Sequence, residues 1–296
     1  MIENCSVHIY SEKLAALEHP TKSGEKHENI VMFVGGLSDG IHSVPFVKPL
    51  AEALDTIGWG TVEINTRSSY IGYGTGSLGR DVEDISAAID YFRQKNGKAK
   101  VVLMGHSTGS QDVMYYLTQP PTPNEDRPKI EGGIIQASVS DREGYYDYVG
   151  RENAEKKLAV ARDWIEQGKG QDVLPRDFDN LCKYSPLSAQ RFVDLVAIRG
   201  NDDFFSSDLT ADDFAKTFGA IQSAKILVAF SGKDETVPPY VDKEDLVRRW
   251  KEATKPEVWS QHSGIVPEAN HNLDHTSGPK ALPNLIERVV SFVKEL

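Results

Sequence analysis

Cysteine is almost missing from this chain: Cys5 and Cys182 are two residues in 296, and neither has a C-x-x-C or Cys/His neighbour pattern. A disulfide framework and a zinc ribbon are thereby excluded as organising principles. A Cys5–Cys182 bridge is not expected in a reducing compartment, and both thiols are expected as buried, small apolar side chains. Long hydrophobic runs are missing too, since none reaches the roughly 18–20 residues that span a bilayer. The first ten residues carry Glu3 and lack a basic stretch followed by an apolar one. No secretory signal is read there, and a cytoplasmic location is expected. Positive charge is scarce as well: 33 Lys and Arg stand against 44 Asp and Glu, a net charge of −11. That balance speaks against nucleic acid or an anionic membrane as partner, because phosphate-rich surfaces reward clustered cations.

What the chain does contain is an alternation of short apolar runs with longer helical patterns, the signature of a mostly parallel sheet with crossover helices. Asn29–Val34, Gly60–Asn65, Lys100–Met104, Gly132–Ala137 and Lys225–Phe230 read as buried strands, with a weaker sixth at Glu257–Ser260. A leading strand pair is expected around Val7–Tyr10. Leu78, Val82, Ile85, Ile89 and Phe92 follow the spacing of one helix face, and Leu285, Val289, Val290 and Val293 mark a carboxyl-terminal helix. Ser107–Leu117 reads as the helix after the third strand. The stretch 141–224 breaks the alternation with helical patterns at Asn153–Gln167 and Ser185–Val196. It reads as a helical cap within one domain spanning 1–296, the kind of lid that sets substrate choice.

Gly105-His106-Ser107-Thr108-Gly109 is a G-x-S-x-G pentapeptide placed directly between a buried strand and a helix. In that context it predicts a nucleophile elbow, in which the serine sits on a strained turn and the glycines let backbone pass closely. A serine hydroxyl needs a base, and the base needs an orienting acid, in the chain order Ser, Asp or Glu, His. Asp234 lies on the loop after the fifth strand, with Glu235 as second choice. Of His262, His271 and His275, the preferred base is His271, in the loop ahead of the last helix; His275 comes second and His262 is placed at a strand end. His271 and His275 have H-x-x-x-H spacing, but Asn272 stands where a zinc protease carries Glu, so no metal is expected. Oxyanion donors are expected from the backbone N–H of Thr108 and of Leu37, with Ser38 as an alternative.

These segments resemble the fungal siderophore esterase family of α/β-hydrolases over nearly the whole chain. The resemblance rests on Gly35–Gly40, Arg67–Tyr70 with Gly72–Leu78, Gly105–Gly109, Ser140–Glu143, Ser231–Glu235 and Asn270–Leu273. It implies an α/β-hydrolase fold and a cofactor-free serine esterase that hydrolyses fusarinine-type hydroxamate siderophores and frees iron inside the cell. Such siderophores carry free amines when their ornithines are unacetylated. Asp202, Asp203 and Asp208 around Phe204–Phe205, with Asp141, Arg142 and Glu143 nearby, are therefore candidate substrate contacts. The rival readings are a general carboxylesterase, lactonase or thioesterase on other small acyl compounds, and a non-catalytic binding protein on the same fold.

Overall fold

The computed structural model describes residues 4–24, 26–96, 100–121, 127–222 and 224–296. Glu3 of the amino-terminal reading and Ser223 of the 141–224 segment lie outside the described residues. Eight strands form one sheet: β1 (Ser6–Ser11), β2 (Leu14–Glu18), β3 (Asn29–Val34), β4 (Trp59–Ile64), β5 (Val101–His106), β6 (Gly132–Gln136), β7 (Lys225–Ser231) and β8 (Gly264–Val266). Their order is β1-β2-β4-β3-β5-β6-β7-β8. β1 and β2 pair antiparallel, β2 meets β4 antiparallel, and every pair from β4 to β8 is parallel. This is the α/β-hydrolase fold.

The inner strands are apolar over most of their length because both of their faces are covered. Ile30, Met32 and Val34 enter one core layer with Val101, Leu103, Ile226 and Val228, while Val31, Phe33, Val102 and Met104 enter the other. The first layer is closed by α2 (Leu78–Asn96), whose Leu78, Val82, Ile85, Ile89 and Phe92 all turn inward as their spacing predicts, and by α3 (Gly109–Thr118). The second is closed by α1 (Val47–Asp55) and by the last helix, α10 (Ala281–Lys294).

Between β6 and β7 the chain forms α4 (Asp141–Val149), α5 (Arg151–Glu166), α6 (Asn180–Tyr184), α7 (Ala189–Val196) and α8 (Ala211–Lys216). Much of this segment carries its own apolar cluster, in which Leu158, Leu187, Phe192 and Leu195 are buried. α9 (Lys243–Ala253) follows β7.

Two expectations need correcting. The weak strand at 257–260 is a single bridge from Trp259 to Ile226, and the last strand is Gly264–Val266 instead. Cys182 is buried as expected, but Cys5 is only partly covered, just ahead of the edge strand β1. No described helix is long and apolar enough to cross a membrane.

Candidate active site

The parallel strands deliver their loops to one edge of the sheet, the carboxyl-end crevice where open α/β sheets bind ligands. Ser107 follows β5 immediately and takes φ 52°, a left-handed value costly for a side-chain-bearing residue. The surrounding glycines make this turn possible. A Cβ on Gly105 would lie 2.0 Å from the Gly109 carbonyl oxygen, and one on Gly36 would lie 2.7 Å from the Ser107 Cβ. The elbow is pinned by the Ser107 N–H donating to the Gln136 carbonyl at 3.0 Å and the Ser110 N–H donating to the Ser107 carbonyl at 2.9 Å.

His271 Nε2 stands 2.9 Å from Ser107 Oγ, and His271 Nδ1 stands 2.8 Å from Asp234 Oδ2. The other Asp234 oxygen accepts from the Thr236 N–H at 3.0 Å and from its hydroxyl at 2.7 Å. Loop meets loop through backbone: the Lys233 N–H donates to the Ala269 carbonyl at 2.8 Å. Glu235 takes a different part from Asp234, its carboxylate accepting the His271 backbone N–H at 2.9 Å. Lys243 Nζ donates to the carbonyls of Gly232 and Asp234 at 3.1 and 3.2 Å, holding the acid's loop from behind.

Electrostatics follow from this packing. Burial disfavours the charged forms of both partners, yet for His271 the hydrogen bond and charge of Asp234, then Glu235 and Asp39, outweigh it and raise the imidazole above its ordinary value. For Asp234 burial is likewise outweighed, by the His271 and Thr236 hydrogen bonds, and its carboxyl falls below the usual range. His106 lies under His271 with ring centroids 4.9 Å apart. Burial first, and then the charge of His271, push His106 down to about 4, so it is neutral between Gln136 and Asn272.

Leu37 lines the same cavity as Ser107, Thr108 follows Ser107 in the chain, and among the described residues neither backbone N–H is engaged in a hydrogen bond. The loop bearing Leu37 is closed on itself, with the Gly36 N–H donating to Asp39 Oδ2 at 2.9 Å and the Asp39 N–H donating to the Gly36 carbonyl at 3.0 Å. Ser38, the alternative donor, is at φ 68° and does not line the cavity that Leu37 lines.

That cavity has a volume of about 370 Å³ and opens over Ser107 and His271. Its far wall comes from the helical segment: Asp141, Tyr145 and Tyr148 of α4, Leu181 of α6, Leu195 and Val196 of α7. Reasoning from sequence misses these tyrosines and leucines, although the Gly144-Tyr145-Tyr146 run inside an apolar-poor helix is a visible signal.

The structure separates the other candidates from this cavity. Arg142 is buried and spent on acids: its Nε donates to Asp203 Oδ2 at 3.0 Å, and its Nη1 and Nη2 donate to Asp208. Asp203 also accepts from Ser206 and from the Arg199 N–H. Asp202 is buried against Arg191, whose Nη1 donates to it at 2.6 Å. The expectation that Asp202, Asp203 and Asp208 present free negative charge to a substrate is therefore corrected: each is compensated by an arginine. Phe204 and Phe205 are also redirected, into the core beneath α9, where Phe205 sits 5.4 Å from Trp250 between ring centroids. Glu143 accepts from the Ser207 N–H and hydroxyl at 2.8 and 2.6 Å. His262 pairs with Glu295 at 2.9 Å, and His275 is exposed and off the cavity. Among the described residues no group of three or more His, Cys, Asp or Glu is arranged to hold a metal ion.

The chain is similar to known proteins over nearly its whole length. The family model described as "Protein of unknown function (DUF1749)" matches residues 2–294. The UPF0613 protein of Schizosaccharomyces pombe is 44% identical over 97% of this chain and 96% of its own length. The fusarinine C esterase SidJ of Aspergillus fumigatus is 34% identical over 98% of this chain and 95% of its own. Among solved structures, the siderophore hydrolase EstB from Aspergillus fumigatus superposes with a TM-score of 0.86 at 32% identity, covering 99% of this chain and 98% of that one. By sequence and by fold, this chain belongs to the fungal siderophore esterase family of α/β-hydrolases.

Proposed function

We propose that the protein is a serine esterase that cleaves ester bonds of fusarinine-type hydroxamate siderophores through an acyl-enzyme on Ser107. The observation that carries this reading is the unbroken hydrogen-bonded line from Ser107 Oγ through His271 to Asp234, opening onto a cavity of about 370 Å³. Ser107 attacks the ester carbonyl as His271 Nε2 takes its proton, and Asp234 keeps the other ring nitrogen protonated and stabilises the imidazolium. The unengaged amides of Leu37 and Thr108 receive the oxyanion, each worth about 3–4 kcal/mol by analogy with other acyl-transfer enzymes. His271 returns its proton to the leaving alcohol, then draws one from the water that releases the acyl group. Residues 141–224 act as the cap, since their side chains form the wall that an acyl group would meet. In the cytoplasm the reaction would loosen the chelate and free its iron.

The test is mass spectrometry of ferric fusarinine C incubated with wild type and with Ser107→Ala. Linear and monomeric products from wild type alone are expected. An untouched siderophore beside rapid turnover of simple short-chain esters would overturn the substrate and leave a general carboxylesterase.

A further inference from the structure

Asp141 is the single carboxyl among the described residues that line the cavity beside Ser107 and His271, and no lysine or arginine joins it there. Its Oδ2 accepts from Gln111 Nε2 at 2.7 Å, a neutral donor on α3, and among the described residues nothing hydrogen-bonds its Oδ1. The charges of Arg191 and, after it, His271 act on Asp141 from a distance. Arg191, however, is committed to Asp202 at 2.6 Å and to the Tyr73 carbonyl at 3.1 Å, and His271 to Asp234. Nor is Asp141 needed to cap its own helix, because Ser140 Oγ already accepts the Glu143 N–H at 3.0 Å. Burial in the cavity wall, and then the charge of Asp202, push the Asp141 carboxyl up to about 7. A carboxyl so placed gains most from a cationic partner that brings its own hydrogen-bond donors.

We propose that Asp141 is a specificity-determining residue that selects esters carrying a protonated primary amine close to the scissile bond. This deepens the esterase reading of Ser107 and rests on it. An ammonium group is small enough to share the cavity with an acyl chain and has three donors, one of which meets the open Oδ1. Acylating that amine removes the charge and two of the donors, leaving one amide N–H and added bulk. The cavity then discriminates between amine and amide forms of the same ester through one side chain, while the apolar wall of Tyr145, Leu181 and Leu195 receives the rest of the molecule.

The experiment compares norleucine methyl ester with its N-acetyl counterpart at pH 7, in wild type, Asp141→Asn and Asp141→Glu. Wild type should favour the amine by about 10- to 100-fold in kcat/KM, most of it in KM. Asp141→Asn, which keeps the Gln111 contact, should bring the ratio close to one; Asp141→Glu should retain part of it. Labelling of Ser107 by a fluorophosphonate is measured alongside in each variant. A wild-type ratio near one, or a ratio unchanged in Asp141→Asn, overturns the assignment of Asp141 and leaves Ser107 standing. Failure of wild type to take up the fluorophosphonate overturns the esterase reading itself.

Discussion

At the carboxyl end of the sheet, Asp234 and His271 sit 2.8 Å apart and leave a strained serine facing open space. In the helical segment, Arg142 and Arg191 pair with Asp203, Asp208 and Asp202 away from the cavity over Ser107. Both clusters are largely buried, with Asp208 the exposed exception, both are ionisable, and both stand out in the sequence as unusual runs of polar residues. They differ in what each charge is left to do. The arginine–aspartate cluster is closed on itself: each aspartate meets a guanidinium, Arg142 serving both Asp203 and Asp208, and the network ties α4, α7 and the 199–208 loop into one body. The sheet-edge cluster is open at one end, because the line of hydrogen bonds stops at a hydroxyl rather than at a countercharge. Density of charge alone therefore does not mark a site; a chain of partners that ends at a cavity does.

The sharpest way to break this comparison is at the open end. Ser107→Ala should lower kcat by about five to six orders of magnitude while leaving thermal stability nearly unchanged, as removal of other hydrolase nucleophiles does. Asp234→Asn should cost about 10⁴-fold, because the wrong ring nitrogen would then carry the proton. The same substitution has a pH signature. His271 must be neutral to accept a proton, and its pKa is raised in the folded protein, so kcat/KM should rise with pH through an inflection above the ordinary 6.5. Asp234→Asn should move that inflection downward; an unmoved acid limb in the pH–rate profile would show that another group titrates.

Next in size is the closed cluster. Arg142→Met should destabilise the fold by about 3–5 kcal/mol in chemical denaturation, since it strands buried Asp203 without its guanidinium. Folded Arg142→Met should still label at Ser107 with a fluorophosphonate; loss of labelling in the folded variant would mean the two clusters are coupled. The smallest effect is expected at Glu235→Gln. The amide oxygen can still accept the His271 backbone N–H, so kcat should fall by less than about tenfold. A fall near 10⁴-fold would reverse the roles of Glu235 and Asp234.

Much of the fold is readable in the sequence because its inner strands must be apolar on both faces, which turns Asn29–Val34 and Lys225–Phe230 into short, unmistakable runs. The leading strand pair and α2 are readable through their periodicity. The last strand is easily misplaced because three residues, Gly264–Val266, are too few to show alternation, while Val258-Trp259 nearby looks more strand-like than the single bridge it makes. α9 escapes a reading of apolar runs, although Asp242 caps it by accepting the Asp245 N–H at 2.9 Å, a spacing the sequence displays. Ser107, Asp234 and His271 can be proposed from strand-end position and chain order, and the structure brings all three together. The acidic residues of the helical segment cannot be sorted in advance. Arg142 and Asp203 lie 61 residues apart in the chain, and no local pattern says which acid has an arginine waiting for it. Only the packed structure shows that Asp202, Asp203 and Asp208 are bonded to arginines and that Asp141 is bonded to a neutral glutamine instead.

The most direct measurement is peptide mass mapping after brief treatment with a fluorophosphonate, in wild type and in His271→Ala. One phosphonyl adduct on the peptide containing Ser107 is expected in wild type. It should form at least about a hundredfold more slowly in His271→Ala, because a serine hydroxyl without its base is a weak nucleophile. An adduct on any other residue, or equal labelling rates in the two proteins, would contradict Ser107 as a nucleophile activated by His271.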